Sequence, residues 1–411
     1  IFQKGVFPMK IFGTTDILMP ASAAMESWAV IACDQFTSDT AYWQRVADTV
    51  GDKESTLHMI LPEAHLGASD EAAIVQKINA TMERYLAGST FQTYANAYIY
   101  VERTLLNGTV RPGLIGAVDL EQYDYNPGSV SAIRATEKTV LERIPPRQRV
   151  RKDAGIEFPH VLMLCDDDQK QLIEPIGAVK EQLTKLYDFD LMEGGGHITG
   201  WLVEGQIAAD FDARLEAYIA SVPAKYADLS GAPVTLAVGD GNHSLATAKS
   251  CYEALKANNP GVDLSAHPAR FALVELENIH DDSQVFEPIH RILFDVDGEK
   301  LLSDMQSICA ADGFAVEYVM GTQRGTLYLD KAKGELAVAV LQEFLDQWMK
   351  ENSCEIDYIH GDDEVAELAS KMKSALGTGG SARGGEILIQ GDKRDAVLKF
   401  LIKQDYKARI I

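Results

Sequence analysis

The spacing of apolar and polar residues predicts strands and amphipathic helices along the whole chain. The clearest example is a β-rich apolar run at residues 234–238 that stops at the turn Gly239-Asp240-Gly241. A helix pattern starts immediately afterwards, because Leu245, Ala248 and Tyr252 recur at helical spacing. This order of strand, glycine turn and helix N-terminus is a common way to build an anion-binding site from backbone N–H groups.

Periodicity also predicts two further helices and a hairpin. Residues 69–87 and 207–226 follow helical spacing, and Asn107-Gly108 lies between the apolar runs 98–104 and 111–118. Asn-Gly in that setting is a strong hairpin signal. Further predicted elements are buried strands at 28–33, 160–164 and 270–276 and a helix at 176–187.

These elements predict an α+β (mixed α/β) fold built on a mixed sheet, with helical and C-terminal elaborations. A length of 411 residues predicts two or three domains. We expect an N-terminal α+β region with the hairpin at 1–155, a core region carrying the Asp-Gly-Asn-His turn at 156–300, and a C-terminal α+β region at 301–411.

Composition narrows the class of partner. A net charge of −23 argues against nucleic acid and against an anionic membrane surface, but it leaves room for a small anionic ligand at a local cluster of donors. The five cysteines are widely spaced and odd in number, which favours a reducing, cytoplasmic location. We expect no secretory signal and no transmembrane helix.

The turn also carries two side chains with useful chemistry. Asp240 can accept a proton from a hydroxyl group or bind Mg²⁺, and His243 can act as an acid or a cation. The alternative is a plain Asp-Gly turn followed by an Asn or Ser helix cap, and the pattern alone leaves both interpretations open.

Three other stretches contain candidate ligand-binding residues. Residues 134–152 are rich in arginine and lysine, which suits either phosphate binding or a solvated surface. The glycines at 194–196 suit either close approach to a ligand or a hairpin. His290-Arg291 lies within an apolar run, where a cation needs a partner, and the alternatives are a paired core arginine or a surface edge.

Two remaining stretches have simpler alternatives. Asp34 follows the predicted strand at 28–33, where sites often lie, although it also suits a loop or a helix cap. Residues 377–385 are glycine-rich but lack the lysine of a phosphate loop and precede a strand-like run, so we interpret them as a flexible connector.

Taken in order, several motifs resemble a bacterial family known as domain of unknown function 1015. The resemblance covers roughly residues 10–300. The matching pieces are Trp28 to Gln35, Arg103-Thr104 with Gly113 to Gly116, Arg134 to Thr139, Gly194 to Gly196, Asp240 to His243, and Pro288 to Arg291.

This resemblance implies a ParB/sulfiredoxin-like strand–turn–helix phosphate site. The family's turn usually reads Asp-Gly-His-His-Arg, and similar turns handle nucleotide phosphates in ParB-like proteins and in free-serine kinases. This chain departs from the pattern in two places, because Asn242 replaces the first histidine and Ser244 replaces the arginine. Loss of the arginine removes a bidentate phosphate clamp.

From the residues and the resemblance together, we expect a small-molecule phosphotransferase, similar to a serine kinase, that moves phosphate between ATP or ADP and serine. The catalytic candidates are Asp240, His243, Glu137 and Asp34, with Asp240 also the candidate Mg²⁺ ligand. The candidates for binding the nucleotide or phosphate are Gly241, Asn242, Ser244, Arg103, His290, Arg291, Arg143 and Arg147.

Two other functions stay open. The same turn can serve a non-catalytic regulator that binds a nucleotide or phosphometabolite. A ParB-like DNA-binding protein or nuclease fits the acidic charge least well. We therefore expect a small phosphate-bearing ligand as partner, and neither nucleic acid nor membrane; the sequence does not determine the oligomeric state.

Overall fold

The computed structural model describes residues 11–31, 40–62, 70–136, 139, 144–158, 161–227, 231–284, 289–294, 296–320, 323–334, 336–352 and 354–360. The chain divides into two compact units, residues 1–284 and residues 285–411.

The first unit alternates strands with helices. Its strands are β1 (Phe12–Gly13), β2 (Thr15–Pro20), β3 (Phe91–Thr104), β4 (Val110–Asp119), β5 (Tyr123–Asp124), β6 (Ile133–Ala135), β7 (Leu162–Cys165), β8 (Thr184–Asp190), β9 (His197–Val203), β10 (Leu236–Asp240) and β11 (Phe271–Asn278). Its helices are α1 (Met25–Trp28), α2 (Thr40–Val50), α3 (Glu71–Ala87), α4 (Ile144–Arg151), α5 (Glu174–Gly177), α6 (Gly205–Lys225) and α7 (Asn242–Asn258).

These strands form one mixed sheet in the order β5-β6-β10-β7-β11-β4-β3-β9-β8, while β1 pairs with β4 and β2 pairs with β3. The pairs β5–β6, β6–β10 and β7–β11 are parallel, and the other pairs are antiparallel. The mixed sheet predicted from the sequence is therefore confirmed, with strands from both sides of residue 155.

One face of the sheet is covered by α6 and α7. Alternate strand residues such as Val238 and Met163 point to this face and pack with Phe211 of α6 and with Leu245 and Tyr252 of α7. The apolar residues at alternate strand positions and those at helical spacing thus pack together in one hydrophobic core. The opposite face has a smaller apolar cluster that includes Ile17, Ile99, Val101 and Ile115.

Several local predictions are confirmed. The helices predicted at 69–87 and 207–226 correspond to α3 and α6. The hairpin joins β3 to β4, and Gly108 adopts a φ of 82° that suits glycine at this turn. Strands β7 and β11 lie where apolar runs were predicted.

Two local predictions are wrong. Residues 28–31 of the run at 28–33 are not a strand, because Met25–Trp28 forms a short helix and residues 29–31 are irregular; residues 32–33 lie outside the described residues. The predicted helix at 176–187 ends at Gly177, and Thr184–Asp190 is a strand instead. Pairing with β9 outweighs helical spacing here, because alternating aromatic residues suit a pleated surface.

The glycine stretch at 194–196 is the hairpin connection between β8 and β9. Gly196 has a φ of 84°, and a Cβ there would lie 2.2 Å from the carbonyl oxygen of Thr104 on β3. A Cβ on Gly195 would collide with Ile31. These glycines therefore let the hairpin approach its neighbours closely.

The second unit contains strands β12 (Ile289–Phe294), β13 (Gly313–Met320), β14 (Gln323–Asp330) and β15 (Glu355–His360) and helices α8 (Gly298–Met305) and α9 (Ala337–Glu351). Strand β12 pairs antiparallel with β15, and β13 pairs antiparallel with β14. Its core is formed by Leu301, Met305, Leu329, Leu345 and Trp348.

Candidate phosphate-binding site

Strands β6 and β10 run parallel and bring their carboxyl ends to the same edge of the sheet. Val238 on β10 is opposite Ala135 on β6, so the residues that follow each strand lie next to each other. In open α/β sheets, ligands bind in the crevice outside such carboxyl ends. The turn singled out from the sequence lies at this edge.

The geometry of the turn depends on glycine. Gly241 has a φ of 83°, in the left-handed region, and precedes the first residue of α7. The exposed Asp240 accepts a hydrogen bond through Oδ1 from the Gly241 N–H at 2.8 Å. This bond holds the carboxylate beside the start of the helix while leaving its second oxygen toward solvent.

The first turn of α7 presents backbone N–H groups to the same edge. The intrahelical ladder starts with the Leu245 N–H donating to the Gly241 carbonyl at 3.0 Å. Within the described residues no side chain caps this helix, and its first turn contains no acidic residue. The half-buried His243 and Ser244 lie in this turn. The positive end of the helix dipole is therefore available to an anion.

Asn242 connects the two strand ends. Its side chain is only 4% exposed, and its Oδ1 accepts a hydrogen bond from the Thr136 N–H at 3.2 Å. The Thr136 hydroxyl in turn donates to the Val238 carbonyl at 2.6 Å. Asn242 thus fixes the β6 end to the β10 end, which is a structural role that the sequence did not indicate.

Helix α4 packs against α7, the helix that begins at the turn. Gln148 of α4 donates to the Ser250 hydroxyl of α7 at 2.7 Å, so the two helices are linked. Arg147 is half-buried in the first half of α4. Between β6 and α4, Thr139 is buried, and its Oγ1 has no hydrogen-bond partner within the described part of the chain. A buried hydroxyl of this kind is available to donate to a ligand.

The structure does not bring every predicted residue to this edge. Arg103 lies on β3, four strands from β10 in the sheet order, which is roughly 20 Å along the sheet at a strand spacing of about 4.8 Å. Its Nη2 donates to the Gly195 carbonyl at 3.2 Å. Arg103 is therefore not a cation of the turn, because strand order and not sequence motif sets its position.

Five other predicted residues need separate mention. His290 and Arg291 belong to the second unit, on β12, where Arg291 donates from Nε to Gln342 at 3.0 Å. Asp34, Glu137 and Arg143 lie outside the described residues.

A second polar cluster was missed from the sequence. We define the Glu–Arg cluster as Arg103 on β3, Arg111 on β4, and Glu275 and Glu277 on β11. Arg103 is directly opposite Arg111 across the hairpin, and Arg111 Nε lies 2.9 Å from Glu277 Oε1. The sequence signal for this cluster is the presence of two acids, Glu275 and Glu277, at alternate positions of an apolar strand. Residues at alternate positions of a strand lie on the same face of the sheet.

Burial changes the acidity of both glutamates. Desolvation raises the pKa of Glu277 to about 7, and the neighbouring Glu275 contributes further. Burial also raises the pKa of Glu275, against the opposing effect of Arg111 and Arg103. Burial thus raises the pKa of both glutamates above the ordinary carboxyl value.

The comparisons with known proteins identify the family. Residues 15–349 match the model of the family described as Protein of unknown function (DUF1015), and the chain belongs to that family. The resemblance stated from the motifs is confirmed. No solved structure matches the chain.

The C-terminal part matches a second family. Residues 356–407 match the model described as Translation initiation factor SUI1. This match includes the glycine-rich stretch at 377–385, which lies outside the described residues. Our interpretation of that stretch as a connector did not anticipate a second family there.

The similar curated proteins share only short segments with this chain. A protein translation factor SUI1 homolog from Methanopyrus kandleri is 48% identical over 42 residues, which are 10% of this chain and 40% of that protein. The homolog from Pyrococcus furiosus is 39% identical over 48 residues, 12% of this chain and 49% of that protein. An uncharacterized protein from Haemophilus influenzae is 37% identical over 49 residues, 12% and 46% respectively. The chain thus spans less than half the length of each of these relatives.

No helix in the described ranges is long and apolar enough to cross a membrane.

Proposed function

We propose that the edge formed by β6 and β10 binds a small phosphate-bearing molecule. The observation that supports this most directly is the placement of an uncapped helix N-terminus and an exposed carboxylate, Asp240, at the carboxyl ends of two parallel strands. Each helix-dipole contribution is modest, about 0.3–1 kcal/mol, so a cation has to assist. We assign this role to Arg147 of α4, the helix that is linked to α7 through Gln148.

The reaction we propose is transfer of a phosphate between a nucleotide, ATP or ADP, and a small hydroxyl substrate such as serine. Phosphoryl transfer depends mainly on positioning and charge stabilisation. In this scheme the N–H groups of α7 hold a phosphate, Asp240 accepts the proton of the attacking hydroxyl, and His243 stabilises charge. The choice of serine rests on the family resemblance alone.

Mg²⁺ suits this donor set. The cation usually binds one or two carboxylates and takes its other ligands from substrate phosphates and water. Asp240 provides one exposed carboxylate at the turn, and the described residues contain no group of three or more metal-ligating side chains. Asp240 would hold a nucleotide-bound Mg²⁺, which would neutralise phosphate charge.

Calorimetric titration of the intact chain with ADP, ATP and O-phosphoserine, each with Mg²⁺, tests the proposal. We expect saturable binding of at least one nucleotide and slow interconversion of serine and phosphoserine. The Asp240→Asn variant should lose turnover, whereas Asp210→Asn, a matched change at an exposed position of α6, should not. Absence of both binding and turnover would exclude the proposed site.

A non-catalytic regulator is the second candidate. Asn242 is occupied by its bond to Thr136, and Ser244 is a neutral donor where the family usually has arginine. In a regulator, ligand raises the melting temperature but no product forms, and Asp240→Asn retains binding. Introducing the family's arginine with Ser244→Arg should tighten phosphate binding in either case.

The C-terminal segment supports a separate proposal. Residues 356–411 contain nine lysines and arginines and nine acidic residues; all nine basic residues lie within 371–411, where only four residues are acidic, against the acidic balance of the whole chain. Together with the match to a translation factor family, this favours contact of the segment with RNA. Filter binding to structured RNA at two salt concentrations tests it, and equally weak binding with and without residues 356–411 contradicts it.

A ParB-like DNA-binding role stays the least supported, and tight binding to duplex DNA at physiological salt would reverse that judgement.

A further inference from the structure

The Glu–Arg cluster contains buried polar atoms whose hydrogen-bonding capacity is not used. Glu277 is 1% exposed; its Oε2 accepts from Gln284 at 2.6 Å, but its Oε1 forms no hydrogen bond within the described part of the chain. The same is true of Glu275 Oε1 and of Arg111 Nε, which is close enough to Glu277 for an ion pair but is not aligned for a hydrogen bond. Buried groups in this state call for a partner.

The backbone makes room for this arrangement. A Cβ on Gly113 would lie 2.3 Å from Glu275 Oε1, so the missing side chain lets the carboxyl group of Glu275 lie against β4. Arg103 and Arg111 are opposite each other on β3 and β4, an unfavourable placement of like charges unless acids or anions lie between them. The strand register thus concentrates two acids and two guanidinium groups on one sheet face.

We propose that the Glu–Arg cluster is a second ligand site, which binds a small zwitterion of the α-amino-acid class. The ammonium group of such a molecule donates to Oε1 of Glu275 and of Glu277, neither of which accepts a hydrogen bond within the described part of the chain. Its carboxylate accepts hydrogen bonds from the guanidinium group of Arg111, because the planar guanidinium matches the geometry of a carboxylate. A metal ion is a poorer match, because the described residues hold no group of three metal-ligating side chains.

This site is separate from the phosphate-binding edge and does not depend on the function proposed for it. Three strands lie between β3, which carries Arg103, and β10, which carries Asp240. Asp240→Asn should therefore leave zwitterion binding unchanged.

Thermal-shift and calorimetric titrations of the intact chain with glycine, L-serine and L-glutamate test the proposal. Acetate and ethylamine, which carry one of the two charges each, are the matched probes. We expect at least one amino acid to bind at least tenfold more tightly than either probe. Binding at a pH between 5 and 7 should release protons, because an ammonium partner favours the ionised glutamates.

Two variants make the test specific. Glu275→Gln retains the shape of the side chain but removes its charge, and Gly113→Ala displaces the carboxyl group of Glu275. Each variant should weaken amino-acid binding at least tenfold. Glu253→Gln, on the surface of α7, is the matched control and should leave binding unchanged. If an ordered water occupies the cluster in place of a ligand, no amino acid will bind or change the melting temperature, and that result overturns the proposal. Undiminished amino-acid binding by a correctly folded Glu275→Gln protein also overturns it.

Discussion

The Asn242 side chain accepts a hydrogen bond from the Thr136 backbone N–H at 3.2 Å, joining residues 106 positions apart in the sequence. This bond connects the ends of two parallel strands beneath the candidate phosphate site. The asparagine that departs from the family's usual turn thus has a clear structural role. It holds the turn in place, so in the proposed site we assign the ligand contacts to its neighbours.

We expect Asn242→Ala to destabilise the fold by about 0.5–1.5 kcal/mol, because it removes the hydrogen bond between the buried Asn242 side chain and the Thr136 N–H. Urea denaturation followed by circular dichroism measures the change. Asn126→Ala is the control, since Asn126 is exposed and its side-chain amide donates to the nearby Asp124. Equal stability of the two variants would contradict the role assigned to Asn242.

The second prediction concerns a buried ion pair at the start of β11. Arg270 donates to both carboxylate oxygens of Asp119, at 2.8 and 2.6 Å, and the Asp119 side chain is 1% exposed. Asp119→Ala would leave the guanidinium without its partner, and we expect a loss of about 3–5 kcal/mol in the free energy of unfolding. Asp153→Ala removes the partner of Lys152 from an exposed pair 3.7 Å apart, so it should cost less than about 1 kcal/mol. Chemical denaturation of both variants provides the comparison.

The third prediction concerns pH and the buried Glu277. Burial, with repulsion from Glu275, raises its pKa to about 7, above the value of about 4.3 in an unfolded chain. The native state therefore binds more protons between these two values, and this contribution to stability is complete below pH 4 and is lost as pH rises through 7.

Replacing the titrating group should remove that pH dependence. The difference in unfolding free energy between Glu277→Gln and the natural chain should grow in favour of the variant from pH 5 to pH 8. Glu157→Gln, at a half-exposed pair with Arg151, serves as control and should show no comparable trend. A constant difference across the range would show that Glu277 does not titrate there.

The sequence predicted the elements whose signals are local. Strand β10, its glycine turn and α7 follow from apolar spacing within some 25 residues, as does the Asn107-Gly108 hairpin. The contacts that build the sites are not local. Glu275 reaches Gly113 only because β11 pairs with β4, and Arg103 is far from Asp240 because three strands lie between β3 and β10. Such pairings depend on strand order, which residue patterns do not encode directly.

The last prediction concerns His197 on the β8–β9 hairpin. Its Nδ1 lies 2.7 Å from Asp190 and its Nε2 lies 2.7 Å from Asp188, so both ring nitrogens contact a carboxylate. The hydrogen bond to Asp190, followed by that to Asp188, raises the pKa of His197 above 6.5. A raised pKa means that the pairing stabilises the hairpin fully below pH 6.5 and ceases to do so as pH rises through the folded-state value. Titration of the imidazole by NMR should show this elevation, and Asp190→Asn should move the pKa down, whereas Asp210→Asn on α6 should not. An imidazole that titrates at the same pH in both variants would mean that the two aspartates do not hold its proton, and the pH dependence of the hairpin would then need another cause.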